Sequence, residues 1–283
     1  MRVGFHASIA DSIDKAVDRA VDLGCNTFQI FTSNPRQWKP KELTFEETKA
    51  FIEKVSSNDV KPVFAHMPYL PNLASPKDGV YAKSVETLTS ELKRCRRLKI
   101  PYLVTHLGSH LGTGMEIGFE RIINAINKVF KVAGENVILL LENTAGTKNS
   151  MGGSFEDIQY IIERLSHPEY VGVCFDTSHA FAAGYDLRIQ KTVEKTIRKF
   201  DTIIGFEKLK LIHLNDSIGD LNSRIDRHEH IGVGKIGEEG FKNVLRSSLG
   251  RLPLILETPM DARRSDIANL RKVKELAGER VDM

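Results

Sequence analysis

The stretch HLNDSIGDLNSRIDRHEHIGVG (213–234) contains three of the nine histidines of the 283-residue chain. It begins where an apolar run, residues 209–212, ends, and it places Asp226 and His228 two positions apart. A solvated, charged loop would explain this composition. Imidazole and carboxylate groups without thiolates are, however, also the ligands that zinc, manganese and iron bind in proteins. The stretch therefore suggests a metal site.

Similar side chains end five other apolar segments. The third to eighth segments end in His66, His106, Glu142, Asp176, His213 and Glu257. A single histidine at a strand end is usually a hydrogen-bonded rim residue, but several carboxylates crowded in one cleft would repel each other and resist ionisation without a cation. Adding His179, Asp226 and His228 gives nine candidate metal ligands. Nine ligands are too many for one ion and suit three ions that share ligands.

The elements that would position these residues alternate along the chain. Apolar segments typical of strands buried on both faces lie at 2–7, 27–32, 61–67, 102–108, 137–144, 171–178, 209–216 and 252–259, with helical patterns between them. Ser12 is a plausible N-cap of the first helix, which would stop at Gly24, and Thr44 with Glu47 has the spacing of a capping box. Eight strands alternating with eight helices predict an α/β fold, a single (β/α)8 TIM barrel over residues 1–283. The metal centre is then expected at the C-terminal mouth of the strands.

Composition limits the remaining function classes. The net charge of +3, from 40 basic and 37 acidic residues, neither demands nor excludes a nucleic-acid partner. No apolar run approaches the ~20 residues that span a bilayer, and the N-terminus has no secretion-signal pattern, so an intracellular, cytoplasmic protein without membrane contact is expected. Three separated cysteines favour neither a disulfide framework nor a thiolate zinc site, and Cys174 is predicted to be a small core residue.

The motifs around the candidate ligands point to a family. They are NPRQW (34–38), HMPYLPNLASP (66–76), HLGSH (106–110), ENTAG (142–146), DTSHAFAAGYD (176–186), HLNDS (213–217), DRHEHIGVGKIG (226–237) and ETP (257–259). With these motifs the chain resembles endonuclease IV, the metal-dependent apurinic/apyrimidinic endonuclease of the xylose-isomerase-like barrel superfamily, over essentially its whole length. Three positions depart from the family pattern. Ser178 stands where relatives often have Cys, Lys148 where a glycine is usual, and Ile218 where a lysine is common, which would remove a phosphate contact.

The resemblance implies three Zn²⁺ ions, with Mn²⁺ as an alternative at one or more positions, and no nucleotide cofactor. The first ion would be held by His66, His106 and Glu142. The second would be held by Glu142, as a bridge, with Asp176, His213 and Glu257. The third would be held by His179, Asp226 and His228. Glu142 and Glu257 are also the expected catalytic residues.

The resemblance further implies that duplex DNA with abasic sites is the substrate. The phosphodiester bond on the 5′ side of the lesion would be hydrolysed, leaving a 3′-hydroxyl and a 5′-deoxyribose phosphate. Arg36, Tyr69 and Leu70 are expected to enter the duplex at the damaged step, where stacking is already broken and deformation costs least. Trp38 is expected to pack its loop against the barrel. A monomer is expected, because a mouth that takes a duplex should stay open.

Two alternatives remain open at this level. A metal-dependent sugar isomerase or epimerase on the same barrel would also use Glu142, Asp176, His213 and Glu257, but it has no obvious use for the other five candidate ligands. A barrel that binds DNA or sugar without catalysis would usually lack a ligand, and none is missing.

The other histidines receive minor roles. His6 could hydrogen-bond in the site, His110 and His230 are loop or supporting residues, and His167 lies at a helix terminus. Arg227 is an ion-pair partner or a phosphate contact.

Overall fold

A ring of eight parallel strands surrounded by helices forms the computed structural model, which describes residues 1–134 and 136–279. The strands are Val3–Phe5 (β1), Phe28–Phe31 (β2), Val63–His66 (β3), Tyr102–Thr105 (β4), Ile138–Glu142 (β5), Val171–Asp176 (β6), Leu209–His213 (β7), the hairpin strands Asp216–Ser217 (β8) and His228–Glu229 (β9), and Leu254–Leu256 (β10). Apart from the hairpin, sheet neighbours follow chain order, and β10 returns to pair with β1. A bridge between His6 and Gln29 links β1 to β2. The predicted (β/α)8 barrel is confirmed.

The helices are Lys15–Asp22 (α1), Phe45–Ser57 (α2), Asp78–Leu98 (α3), Met115–Ala133 (α4), Phe155–Ile162 (α5), Thr177–Ala182 (α6), Gln190–Ile203 (α7), Gly237–Arg246 (α8) and Asp266–Leu276 (α9). The capping box predicted before α2 is confirmed, since the side chains of Thr44 and Glu47 each accept the backbone N–H of the other. Ser12 as the N-cap of α1 is wrong. Residues 12–14 form a turn in which the Ser12 carbonyl accepts the Lys15 N–H, and the helix begins after it. Within the described ranges, no helix combines the length and apolar character of a bilayer-spanning segment.

The predicted strand segments overran the observed strands at their carboxyl ends. Leu107, Asn143 and Leu214 are buried although they lie beyond the strands, so burial alone gave no signal for the end of the sheet. The sixth segment is the clearest correction. It was predicted to continue to residue 178, but β6 ends at Asp176 and the short helix α6 starts at once. The Asp176 carboxylate accepts the His179 N–H at 2.8 Å, so it caps α6.

The inside of the barrel is filled by six buried apolar side chains from six different strands. They are Phe64, Val104, Leu140, Cys174, Leu211 and Ile255. Because side chains alternate between the two faces of a strand, the residue two positions later lies on the same face. The residues two positions after these six are His66, His106, Glu142, Asp176, His213 and Glu257. The strand-end residues therefore form a polar layer directly above an apolar one, on the side of the mouth.

Candidate metal centre

The strand-end residues converge into three groups of potential metal ligands in the part of the chain that the structure describes. The groups are His66, His106 and Glu142; Glu142, Asp176, His213 and Glu257; and Asp176, His179 and His228. Within each group, one ligand atom per residue lies within 4.8 Å of the others. The centre opens into a cleft of about 780 Å³ at the mouth of the barrel. The first two groups have the predicted membership, and the third contains Asp176 where Asp226 was predicted.

Glu142 lies at the middle of these groups and is fully buried. Its Oε2 is 3.2 Å from His66 Nε2 and 3.4 Å from His106 Nε2. Its Oε1 is 3.0 Å from His213 Nδ1 and 3.4 Å from His179 Nδ1. Burial alone would raise the pKa of Glu142, but the surrounding imidazoles outweigh it and hold this pKa well below its usual range. Glu142 is therefore ionised and can bridge two cations.

Asp226 reaches the third group from a more exposed position. Its side chain is 49% exposed, and its Oδ1 lies 3.0 Å from His179 Nε2. That hydrogen bond lowers the pKa of Asp226. His228, which begins β9, instead has its Nε2 3.6 Å from Asp176 Oδ2. Asp226 and His228 thus approach the group through different partners.

Backbone carbonyls fix the proton position in three of the imidazoles. The Nδ1 atoms of His66, His179 and His228 lie 2.7, 3.0 and 3.1 Å from carbonyl oxygens, to which they donate. In the neutral ring the proton then sits on Nδ1 and Nε2 is left with a lone pair that can bind an ion, whereas in the protonated ring Nε2 donates to the facing carboxylate, as His179 Nε2 does to Asp226. Two lone pairs repel each other unless a proton or a cation lies between them. Ligating histidines in metal sites are oriented by such a hydrogen bond from the other ring nitrogen.

Gln29 orients the fourth buried imidazole and was missed in the sequence. Its amide oxygen accepts a hydrogen bond from His213 Nε2 at 2.9 Å, which leaves Nδ1 to face Glu142 and Glu257. Its amide nitrogen donates to Glu257 Oε1 at 2.7 Å and lies 3.0 Å from His6 Nδ1. The predicted hydrogen bonding of His6 in the site is thereby confirmed. The available signal was a polar amide inside the apolar segment TFQIFT.

Two asparagines that closely follow ligand candidates were also missed. Asn215 donates to Asp176 Oδ2 at 2.7 Å and accepts the Glu257 N–H at 2.8 Å. Asn143 accepts the Asp176 N–H at 2.8 Å and donates to the Asp176 carbonyl at 3.1 Å. Both amides are buried and hold the backbone or carboxylate of a ligand candidate in place. In the sequence, the only signal was their position: Asn143 follows Glu142 directly, and Asn215 lies two residues after His213.

The remaining histidines and Asp216 have local roles. His110 Nδ1 accepts the N–H groups of Gly112 and Gly114 and so closes its own loop. His230 bonds to Asp261 and Asn269, away from the three groups. The buried Asp216 carboxylate anchors a loop by accepting backbone N–H groups from Ser217, Gly232, Gly234, Ile236 and Gly237. Burial raises the pKa of Asp216 against the effect of these bonds.

The three candidate DNA contacts lie at the rim of the centre. Arg36, in the loop after β2, is exposed, and Tyr69 and Leu70, in the loop after β3, are 69% and 39% exposed. Arg36 and Tyr69 both line the cleft. Arg227 is exposed and forms no ion pair with the residues that the structure describes.

The start of the loop after β2 is hydrogen-bonded to helix α3. Glu91, a buried residue of α3, accepts hydrogen bonds from the hydroxyls of Thr32 and Ser33 at 2.6 and 2.9 Å. Burial raises the pKa of Glu91. Trp38, further along the loop, is half-buried under the Lys83 ammonium, which lies 5.7 Å from the ring centroid. This agrees with its expected packing role.

The donor set fits divalent ions that prefer mixed nitrogen and oxygen ligands. Glu142, Asp176 and Glu257 come together with imidazole nitrogens, and this combination suits zinc, manganese or iron. His228 Nε2 is buried and has no hydrogen-bond partner among the described residues, as expected of an atom reserved for an ion. Without cations the three carboxylates would repel each other in a region closed to water from below.

Comparisons with known proteins agree with this arrangement. A sequence model of the xylose isomerase-like TIM barrel family matches residues 17–277. A Methanoculleus marisnigri protein named "Probable endonuclease 4" is 56% identical over 278 residues, which cover 98% of this chain and 99% of the relative. A Nitrosopumilus maritimus protein of the same name is 48% identical over 98% of this chain and 100% of its own length. The crystal structure of endonuclease IV from Thermus thermophilus superposes with a TM-score of 0.88 at 35% identity, covering 98% of this chain and 99% of that one. A D-tagatose 3-epimerase-like protein superposes with a TM-score of 0.73 at 19% identity, which shows a common fold only.

Proposed function

The chain belongs to the endonuclease IV family, and on that premise we propose that it hydrolyses the phosphodiester bond on the 5′ side of abasic sites in duplex DNA. The products would be a 3′-hydroxyl, from which a polymerase can extend, and a 5′-deoxyribose phosphate. The protein would act in the repair of damaged DNA as a monomer. The observation that supports this proposal best is the set of three ligand groups joined through Glu142 and Asp176.

The charges of the centre suit a phosphodiester substrate. Three divalent ions would contribute a charge of about +6, and four ionised carboxylates, those of Glu142, Asp176, Asp226 and Glu257, would contribute about −4. The excess positive charge can be balanced by one phosphodiester anion and one further anion. When bound, such ions polarise phosphoryl oxygens, activate water near neutral pH and stabilise the departing oxygen. Two divalent ions in the first two groups would contribute about +4 against about −3 from Glu142, Asp176 and Glu257, so the excess would be only about +1.

The side chains of the centre would bind the three ions and fix the orientation of the ligands. His66, His106 and Glu142 would bind one ion, and Glu142 with Asp176, His213 and Glu257 a second. His179, His228 and Asp226 would bind the third. Glu142 and Glu257 are the proposed catalytic residues because both lie in the same group as His213 and the imidazoles around them hold the pKa of each carboxyl below its usual range. Gln29 keeps the His213 proton on Nε2, so that Nδ1 remains a ligand.

Recognition of the lesion would depend on the rim. Arg36, Tyr69 and Leu70 are exposed on two neighbouring loops beside the cleft, as intercalating side chains have to be. Unstacking a base step typically costs a few kcal/mol, and the cost is lowest where a base is already absent. Selection of the abasic site would follow from this difference in deformability, after which the sugar-phosphate can enter the cleft.

The sugar isomerase alternative explains less of the structure. An isomerase with one or two ions would use the group around His213, but the third group and the exposed rim of Arg36 and Tyr69 would have no role. The epimerase-like structure shares the barrel at an identity that supports no more than the fold.

Incision of a defined duplex tests the proposal. The substrate carries one tetrahydrofuran abasic analogue, which cannot undergo β-elimination, so any cut is hydrolytic. We expect one cut on the 5′ side with a 3′-hydroxyl end, loss of cutting after chelation, and recovery with zinc or manganese. An undamaged duplex is the control. Absence of cutting with every metal, together with turnover of free ketoses or aldoses, would favour the isomerase instead.

A further inference from the structure

Met260 is the most exposed large apolar side chain among the described residues, at 93%. It lies three positions after Glu257, in the loop that follows β10, and it lines the same cleft as Arg36 and Tyr69. Single exposed apolar residues are ordinary on protein surfaces and need no explanation by themselves. Met260 differs from such residues because it stands at the entrance to the centre, on a loop that is firmly held.

The loop is held by charged groups immediately after Met260. The Asp261 carboxylate accepts hydrogen bonds from the Arg263 side chain at 2.9 and 2.7 Å and from the Arg263 backbone N–H at 2.8 Å. It also lies 3.0 Å from His230 Nε2. Arg263 in turn donates to Glu229 Oε2 at 2.8 Å, which connects the loop to β9. A thioether on such a fixed turn is kept at the surface.

The barrel topology separates Met260 from the other rim residues. On one part of its rim the cleft is lined by the loops after β10, β1, β2 and β3, which are successive neighbours around the ring, and elsewhere by His106, His179, Asp226 and His228. Met260 follows β10 and Tyr69 follows β3, so the two residues stand at opposite ends of this series. A duplex lying across the mouth would meet Tyr69 and Leu70 on one side of the cleft and Met260 on the other.

We propose that Met260 is a second apolar DNA contact, which packs against the bases that flank the abasic site on the side opposite Tyr69 and Leu70. This inference rests on the proposed function. Methionine is a flexible, polarisable side chain that adapts to irregular apolar surfaces, and it is one of the residues that proteins insert between base steps. Its burial against a base would favour the bent duplex over the straight one, so Met260 determines binding of the lesion and takes no part in bond cleavage.

Two substitutions with a matched control test this assignment. Met260→Ala removes the contact, Met260→Leu restores an apolar side chain of similar size, and Val132→Ala removes an exposed apolar group at the end of α4, outside the cleft. Cutting of the tetrahydrofuran duplex gives KM and kcat separately. Affinity is measured on the same duplex with a methylene group in place of the bridging 3′ oxygen at the scissile phosphate. A 2-aminopurine next to the lesion reports loss of stacking by its fluorescence.

Met260→Ala is expected to raise KM and the dissociation constant about tenfold, to change kcat less than about twofold, and to reduce the 2-aminopurine signal. Met260→Leu should recover most of the affinity, and Val132→Ala should match the wild type. Wild-type affinity and fluorescence in Met260→Ala would overturn the inference while leaving the proposed function intact. A wild-type protein that cuts no lesion would instead overturn the proposed function. In that case the affinity for the uncleavable duplex would still test the Met260 contact. An unchanged dissociation constant in Met260→Ala would refute the contact.

Discussion

Replacement of Gln29 by leucine should weaken metal binding while leaving the barrel folded. Gln29 is fully buried, and its amide bonds to His213 Nε2 at 2.9 Å and to Glu257 Oε1 at 2.7 Å. Leucine fills most of the same space and removes both bonds, together with the 3.0 Å contact between the amide nitrogen and His6 Nδ1. Nothing then keeps the His213 proton on Nε2, so the proton competes for Nδ1, the atom that faces Glu142.

The expected loss of stability and of metal affinity depends on which hydrogen bonds Glu257 and His213 keep in Gln29→Leu. After the substitution Glu257 still has His6 Nδ1 at 3.4 Å, whereas His213 Nε2 loses the amide oxygen to which it donates. One buried polar group without a partner costs about 1–3 kcal/mol of folding free energy. Loss of a group that orients a ligand typically lowers metal affinity about 10–100-fold. We therefore expect a folded variant whose zinc affinity falls by that factor.

Competition with a chromophoric zinc chelator measures this affinity, and thermal unfolding of the metal-free protein measures the stability. Gln190→Leu is the matched control, because Gln190 is exposed at the start of α7 and its side chain bonds only to Glu194 in the described structure. It should behave as the wild type in both assays. Wild-type zinc affinity in Gln29→Leu would refute the reasoning from the His213 proton. A variant that fails to fold would show that Gln29 stabilises the barrel more than one unpaired group predicts.

Three further predictions concern stability. Complete removal of divalent ions should lower the melting temperature by roughly 10 °C. Metal binding at saturation stabilises the folded state by about 4 kcal/mol, and without the ions the carboxylates of Glu142 and Asp176 would repel each other. An unchanged melting temperature after chelation would contradict the metal centre. The raised pKa of Glu91 means that its contribution to stability is fully present below its unfolded value near 4.5 and is lost as the pH rises through the folded value. Glu91→Gln should therefore gain stability relative to the wild type in melting experiments as the pH rises above about 4.5, whereas Glu91→Ala should lose about 1–3 kcal/mol because two hydroxyls lose their acceptor. Ser178 has a buried hydroxyl without a described partner, so Ser178→Ala should raise the free energy of unfolding by about 1 kcal/mol in denaturant titrations, and a loss of stability would reveal a partner for the hydroxyl.

The sequence was sufficient for the barrel and for the convergence of the strand ends. Both depend on periodicity, because an apolar residue inside a parallel barrel places the residue two positions later in the next layer, as Leu140 does for Glu142. The supporting amides were not predictable in this way. Gln29, Asn143 and Asn215 acquire their roles from partners far away in the chain, and no local pattern records which partner a buried amide will face.

The loop that carries Asp226 shows the same limit. An extended loop would have placed Asp226 and His228 side by side, but the hairpin strand begins only at His228, and Asp226 lies outside it. The two side chains therefore reach the third group from different directions. The helix α6 was missed for a related reason, since Asp176 was interpreted as a strand residue although aspartate is also a preferred helix N-cap.

Among the described residues, the apolar layer beneath the centre closes the barrel interior from below. Phe64, Val104, Leu140, Cys174, Leu211 and Ile255 are all fully buried and close the interior directly below the ligand candidates. Ions, substrate and product must all pass through the same mouth, where His106 and Asp226 are the more exposed members of the set. A bound duplex and an ion in exchange with solvent therefore compete for the same opening. While a duplex covers the mouth, a chelator cannot reach the ions from below, so we expect metal loss to be slower from the DNA complex than from the free protein.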